Sequence, residues 1–152
     1  MPDDALSIQE RLYPDLTCFG CGHKNPSGLR LRSYPGADGV TATFIPWPEH
    51  DNGLGYLNGG IIATVLDCHS AAAVIFEARR RGWASPEGPA LPYVTAGLDV
   101  RYLRPTPLDE PLGLIARVAT ADEDEMSVDV ELREADKLRA SAVARWKRWR
   151  PR

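Results

Sequence analysis

The apolar residues of this chain follow two periods, which separate one long helix from several strands. Over residues 61–80 they occur on nearly every face, which is typical of a helix buried on all sides. Asn58-Gly59-Gly60 precedes this segment, and Gly82 follows a basic run that suits a helix end. Later segments alternate apolar and polar residues, which predicts strands buried on one face. These segments are 94–102, 126–132 and 140–146.

Turn and capping residues place the remaining elements. Ser7 and Glu10 have the spacing of a capping box, which predicts a short first helix ended by Pro14. Two further strands are predicted over 29–34 and 40–45, joined as a hairpin by a Pro- and Gly-rich turn. Irregular loops are expected over 18–28, 46–57, 105–111 and 121–125.

One buried helix and five or six antiparallel strands leave few arrangements. The simplest is a curved antiparallel sheet wrapped around the helix, an α+β fold. Such a sheet exposes an edge strand, which favours pairing with a second subunit.

Composition bounds the class of protein. The chain has 152 residues, of which 43% are hydrophobic and 26% charged, so we expect a single domain over residues 1–152. The net charge of −3 gives no basic field for nucleic acid. Residues 61–76 look too short and too polar to span a membrane. The first residues lack the pattern of a signal peptide, so we expect a cytoplasmic protein.

The three cysteines give little reason to expect a disulfide framework or a metal. Cys18 and Cys21 are close in sequence and Cys68 is distant, an odd and sparse set that fits a reducing compartment. A zinc site usually needs four ligands, and any beyond Cys18, Cys21 and His23 would have to come from His50 or Cys68. We therefore predict no metal and no cofactor.

Asp67 stands out because it is the only formally charged residue between Asp51 and Glu77. It occupies the middle of the apolar helix, where an unpaired buried carboxylate costs several kcal/mol of desolvation. Such a charge is rarely kept without a partner or a use. One interpretation is a bond to the hydroxyl of Thr64 or Ser70, one helical turn away. The other is a catalytic carboxylate in a cleft.

The two glycines that open the helix are a second unusual feature. Gly59 and Gly60 cost backbone entropy but let a ligand approach closely. The first amides of a helix are unpaired and carry the positive end of its dipole, so they could stabilise a developing oxyanion. The plain alternative is that Asn58 caps the helix and the glycines only shape a loop.

Helical spacing sorts the polar residues of this segment onto different faces. Gly60, Thr64, Asp67 and Ser70 lie three or four residues apart, so they should line one stripe. His69 is two residues from Asp67 and should point elsewhere, so we expect no dyad between them. The stripe would bring the glycine-rich start and the carboxylate to the same cleft.

Three motifs, taken in order, match a known family. Residues 58–67, Asn-Gly-Gly-Ile-Ile-Ala-Thr-Val-Leu-Asp, are similar to a His-Gly-Gly…Leu-Asp helix. Residues 18–29 contain Cys-Phe-Gly-Cys-Gly, then Asn-Pro and Gly-Leu, and residues 100–105 form a strand end with an aromatic and a proline. From residue 17 to residue 147 the chain resembles the PaaI-type hot-dog thioesterases of the 4-hydroxybenzoyl-CoA thioesterase-like superfamily. The resemblance implies the hot-dog fold.

The resemblance also implies roles for individual residues. Asp67 matches the helix carboxylate that activates water or attacks the thioester, and Gly59 matches the glycine whose amide polarises the thioester carbonyl. Asn52 falls near a polar position in the preceding loop. Thr95 corresponds to a hydroxyl supplied by the partner subunit. Asn58 stands where the family has His, and an Asn side chain can cap but cannot carry a proton.

Substrate contacts are expected around these residues. Gly60, Thr64 and His69 are predicted to contact the substrate from the helix. Coenzyme A carries phosphates, so a basic rim is expected, with Arg101 and Arg104 as candidates. The arginines at 79–81 are further candidates.

The leading functional hypothesis is hydrolysis of acyl-CoA to free acid and coenzyme A by a homodimer or a tetramer of dimers. The helix carboxylate would act as general base or nucleophile. An alternative is a non-catalytic hot-dog protein that binds acyl-CoA or another apolar ligand, which Asn58 favours. A dehydratase or hydratase would need a histidine and a carboxylate at one site, and only His50 and His69 lie near the glycines in sequence.

Overall fold

The computed structural model describes residues 6–83 and 91–150. Within these ranges the chain forms two α-helices, one short 3₁₀ helix at Pro48–His50 and six strands. The helices are α1 (Ile8–Leu12) and α2 (Gly59–Arg80). The strands are β1 (Ser33–Gly36), β2 (Gly39–Phe44), β3 (Tyr93–Tyr102), β4 (Leu112–Ala121), β5 (Glu125–Glu134) and β6 (Lys137–Arg148).

The six strands form one sheet in the order β1-β2-β4-β5-β6-β3, and every neighbouring pair is antiparallel. Helix α2 packs against β2, β3, β4, β5 and β6, and its apolar side chains join theirs in one core. Burial of this apolar surface is the main force that holds the helix on the sheet. An antiparallel sheet around one long central helix is the predicted hot-dog fold.

Helix α2 begins and ends where the sequence predicts. Asn58 is its N-cap, and Gly82, with a φ of +76°, follows its last turn. The expectation that this segment is too short and too polar for a membrane span was wrong, since the helix of 22 residues is long and apolar enough by length and composition. However, 61% of its most apolar stretch is buried within the protein, so these apolar side chains pack into the hydrophobic core.

The first strand is shorter than predicted. It begins at Ser33, although the alternation suggested a strand from residue 29. The amides of Leu29 and Leu31 donate instead to the carbonyls of Phe19 and Gly20, at 2.8 and 3.0 Å. Residues 29–31 are therefore paired with the cysteine-containing loop, which this pairing holds close to α2.

The edge strand β3 contains an irregularity that decides which side chains face the helix. Its register against β6 shifts between Thr95 and Gly97, as a β-bulge does. Thr95 lies opposite the buried Trp146, and beyond the shift Leu98 again shares the inner face. The predicted strict alternation, with Val94 inward and Thr95 outward, was wrong because the extra residue changes the parity of the strand.

Candidate active site

Asp67 lies half-buried on the more open face of α2 and bonds to the neighbouring strand. Its Oδ1 accepts a hydrogen bond of 2.8 Å from the hydroxyl of Thr95 in the same chain, so the implied supply of this hydroxyl by the partner subunit is corrected. Burial raises the pKa of Asp67, the Thr95 hydrogen bond lowers it, and the nearby Cys18 raises it. Its Oδ2 meets no hydrogen-bond donor within the two described ranges and is left for water or substrate.

The hydroxyls one turn away from Asp67 have other partners. Thr64 donates to the carbonyl of Gly60 at 2.9 Å, and Ser70 donates to the backbone carbonyl of Asp67 at 2.6 Å. Ser70 also accepts from the indole of Trp146 at 2.9 Å and is fully buried. The interpretation that Thr64 or Ser70 binds the Asp67 carboxylate was therefore wrong. Ser70 faces the sheet and does not continue the predicted stripe.

The start of α2 leaves one amide available. Asn58 Oδ1 accepts from the amides of Gly60 and Ile61, at 2.7 and 3.3 Å, so Asn58 is the predicted N-cap. The Gly59 amide has no acceptor among the residues that the structure describes. Because it also lies at the positive end of the helix dipole, it can bind an anion or a polarised carbonyl.

Tyr102 belongs to this site and was missed as a functional residue. Its hydroxyl donates to the carbonyl of Gly59 at 2.8 Å, and its ring would be 3.5 Å from a Cβ at that position. Its place at the end of a strand, in the motif of residues 100–105, was the available signal. Periodicity alone assigned it to the core, but its side chain is 54% exposed.

An open groove of 440 Å³ lies beside the helix start and contains several predicted residues. Asn52, Gly59 and Arg104 line it. The side-chain oxygen of Asn52 accepts from two backbone amides of its own loop, at 2.8 and 3.2 Å, so it shapes the loop. Arg101 is exposed on β3 and does not line the groove.

Asp67 does not line this groove. Asp67 is eight positions after Gly59, which is about 12 Å along a helix that rises 1.5 Å per residue. A base and an oxyanion donor must both lie near one reacting carbon. The predicted arrangement of Gly59 and Asp67 at one cleft is therefore not formed by the two residues of a single chain.

His69 is part of the core and does not contact a substrate surface. It is fully buried, and its Nδ1 and Nε2 lie 2.8 Å from Ser33 Oγ and from the Val40 carbonyl oxygen. Since a carbonyl can only accept, Nε2 carries the proton and Nδ1 accepts from Ser33. Burial lowers the pKa of His69 to about 4. Its prediction as a substrate-binding residue is corrected, while its separation from Asp67 is as expected.

A second groove, of 510 Å³, lies at the other end of α2 and contains none of the predicted catalytic residues. Arg80 and Arg81 line it, and both form ion pairs with Glu77, at 2.7 and 2.6 Å. These arginines therefore already have a carboxylate partner far from Asp67.

Metal-ligating side chains gather at one place among residues 6–83 and 91–150. The thiols of Cys18, Cys21 and Cys68 lie within 4.8 Å of one another. Cys68 follows Asp67 on α2, and the other two come from the loop that the 29–31 pairing holds there. His50 is not part of this group. Its Nδ1 accepts from the backbone amide of Trp47 at 3.0 Å.

Comparison with known proteins places the chain in a family. It matches the Thioesterase superfamily over residues 54–141, more than half of its length. No curated protein matches it significantly. A thioesterase superfamily protein from Shewanella loihica PV-4 is 28% identical with a TM-score of 0.64, and the alignment covers 79% of this chain and 91% of that one.

Two more distant structures share the fold. The PaaI protein of the E. coli phenylacetic acid degradation operon is 17% identical with a TM-score of 0.63, covering 80% of this chain and 81% of that one. A Streptococcus mutans UA159 protein bound to acetyl-CoA is 20% identical with a TM-score of 0.63, covering 80% and 90%. Together with the match over residues 54–141, they confirm the resemblance to hot-dog thioesterases: the chain belongs to the thioesterase superfamily.

Proposed function

We propose that this protein hydrolyses acyl-CoA thioesters to a free acid and coenzyme A. The observation that carries the proposal is the half-buried Asp67 carboxylate, held through one oxygen by Thr95 while its other oxygen meets no donor in the described chain. The available Gly59 amide at the start of α2, supplied by a second copy of the chain, is the second element. Family membership supports the reaction class, and the acetyl-CoA bound to the S. mutans relative supports the ligand class.

Asp67 acts as general base in this proposal. Its carboxylate takes a proton from water, and the oxygen of that water attacks the thioester carbon. The Gly59 amide donates to the oxyanion that forms, and the carbon–sulfur bond then breaks. The proton on Asp67 passes to the departing thiolate, so the products are an acid and coenzyme A.

A single turnover in ¹⁸O-labelled water tests for nucleophilic attack through an anhydride that opens at the Asp67 carbonyl. General-base catalysis places the label only in the released acid. An anhydride opened at the Asp67 carbonyl would leave label in the protein, which mass spectrometry of the Asp67 peptide would detect and which would overturn the base assignment.

Two copies of the chain complete each site. Gly59 and Asp67 of one chain are about 12 Å apart along α2, so we infer that Asp67 of one subunit works with Gly59 of another. The free edge of β3 supports this pairing, because no strand of the described ranges lies beyond it. Val94, Tyr102 and Leu103 expose 41%, 54% and 51% of their surface there, and a second copy would cover them.

Mixing two inactive variants tests the shared site. Gly59→Pro removes the amide hydrogen, and Asp67→Asn removes the base. If sites are shared, one site of each mixed dimer is intact, and random mixing by unfolding and refolding restores about a quarter of wild-type activity. Sites contained within one chain would give no restoration, and sedimentation showing only monomers would equally refute the assembly.

Arg104 is the proposed contact for the phosphates of coenzyme A, because it lines the groove beside Gly59. Arg104→Ala should raise KM for an acyl-CoA and leave KM for the corresponding acyl-pantetheine, which lacks the nucleotide, unchanged. Arg101→Ala, which changes an exposed arginine outside the groove, is the matched control. An equal rise in KM for the two substrates would refute the proposal that Arg104 binds the phosphates of coenzyme A.

The reaction itself is tested with a panel of short, long and aromatic acyl-CoAs and a thiol-reactive dye. Thiol release with turnover supports the thioesterase. The alternative is a protein that binds acyl-CoA without cleaving it, which the Asn58 replacement of the family histidine favours. Saturable binding by calorimetry with no thiol release from any member would establish that alternative.

A further inference from the structure

All three cysteines of the chain converge beside Asp67. Cys18 and Cys21 come from the N-terminal loop and Cys68 from α2, about fifty residues later, with Cys18 Sγ and Cys68 Sγ 3.7 Å apart. Two sulfurs bound to one tetrahedral Zn²⁺ ion lie about 3.8 Å apart, because each Zn–S bond is about 2.3 Å. Cys18 and Cys68 therefore already have nearly the spacing that such an ion imposes, and the third sulfur lies within 4.8 Å of both.

The backbone around the cysteines is built to hold this spacing. The Gly22 amide donates to the Cys18 carbonyl at 2.8 Å, which closes a turn around the pair. A Cβ on Gly22 would lie 2.4 Å from the Cys18 nitrogen, and a Cβ on Gly20 would lie 2.2 Å from Cys68 Sγ. Only glycine at these two positions lets the turn close and lets the loop reach the helix.

The surroundings suit a cation. Cys21 and Cys68 are each 5% exposed, whereas Cys18 is only half-buried, which gives an ion a way in. The Asp67 carboxylate is close enough to affect both loop thiols electrostatically, and a divalent cation would offset this negative charge. Thiolate ligands select Zn²⁺ over hard cations such as Mg²⁺ and Ca²⁺.

We propose that Cys18, Cys21 and Cys68 bind one Zn²⁺ ion through three thiolates, with a water molecule in the fourth position. The ion takes the place of the three thiol protons, which are released to solvent. It ties the cysteine-containing loop to α2 beside Asp67. The sequence alone predicts no metal, because the third ligand becomes visible only when the loop is placed on the helix.

Metal content tests the proposal without reference to hydrolysis, so its outcome does not depend on the proposed function. The full-length protein is purified with a non-chelating reductant, equilibrated with Zn²⁺, passed over a desalting column and analysed by elemental mass spectrometry. We expect about one Zn²⁺ per chain, and with Co²⁺ the thiolate-to-metal absorption of a tetrahedral site. Cys18→Ser should lower retained Zn²⁺ at least fivefold while circular dichroism shows the wild-type fold.

His23→Ala is the matched control, because His23 is the other metal-ligand residue of this loop but lies outside the thiol group. It should retain the ion, and loss of Zn²⁺ from it would overturn the three-thiolate assignment. Negligible Zn²⁺ in the reduced wild type, with three thiols free to titrate, would overturn the site. A stable disulfide among these cysteines in freshly purified protein would show that the thiols pair with each other instead of binding a metal. That result would also overturn the proposed zinc site.

Discussion

Replacing Gly59 by proline removes one hydrogen atom that the account requires. Gly59 is the first residue of α2, and its amide has no acceptor within the described ranges, so no helix hydrogen bond is lost. Proline is favoured at the first position of a helix. The preceding Asn58 has φ −60° and ψ 134°, an extended conformation that a following proline accepts.

The added Cβ also fits. A Cβ at position 59 would lie 3.5 Å from the ring of Tyr102, an ordinary van der Waals distance. Fixing φ reduces the freedom of the unfolded chain, so the thermal midpoint should stay the same or rise slightly. The fold should therefore survive a substitution that deletes the proposed oxyanion donor.

Activity should respond very differently. Loss of a single oxyanion-hole donor costs about 10²–10³ in kcat, which corresponds to about 2.7–4 kcal/mol. We expect Gly59→Pro to lose activity in this range with the best acyl-CoA, measured by thiol release. Gly59→Ala keeps the amide and is the control, which should retain most of the activity. If Gly59→Pro hydrolysed acyl-CoA as fast as Gly59→Ala, the oxyanion role of this amide would be wrong.

Three further predictions address the residues around this site. Thr95→Val should lower kcat/KM about tenfold, since a hydrogen bond to a carboxylate contributes about 1.5–3 kcal/mol and the site is partly open, whereas Thr95→Ser should retain activity; equal rates would exclude a positioning role. Burial lowers the pKa of His69 from 6.5 to about 4, so its neutral ring contributes stability above pH 6.5 that is lost as the pH falls towards 4, about 3 kcal/mol in all. Urea unfolding at pH 7.5 and 5 should show this loss in the wild type and much less of it in His69→Leu. Gly20→Ala should lower the thermal midpoint by the equivalent of about 1–3 kcal/mol, because the methyl group would collide with Cys68; an unchanged midpoint would show that the loop yields freely.

The elements that periodicity predicts well are those whose burial is uniform along their length. Helix α2 and the strands β5 and β6 lie at the centre of the molecule, so their apolar patterns are read directly from the sequence. The cap at Asn58 was equally local, since it depends on a side chain two and three residues from the amides it binds. Asp67 was found because a single charge in an apolar helix is costly wherever the chain folds.

What the sequence could not predict depends on contacts between distant segments. Thr95 faces Asp67 only because a bulge in β3 changes which of its side chains point towards the helix. No local residue pattern predicts that bulge. His69 resembled a functional residue until Ser33 and Val40, 36 and 29 residues away, were seen to occupy both ring nitrogens. The thiol cluster likewise requires the loop of residues 18–28 to lie on α2.

The most direct test of the account is the rate of thiol release by Asp67→Asn. This change keeps the size of the side chain and its ability to accept the Thr95 hydrogen bond, but removes the base. Asp129→Asn is the charge-matched control, because Asp129 is an exposed aspartate on β5, away from the proposed subunit interface. We predict a fall in kcat/KM of about 10²–10⁴ for Asp67→Asn, the range of general-base contributions, and wild-type rates for Asp129→Asn. A folded Asp67→Asn enzyme that retains the wild-type rate would contradict the central claim.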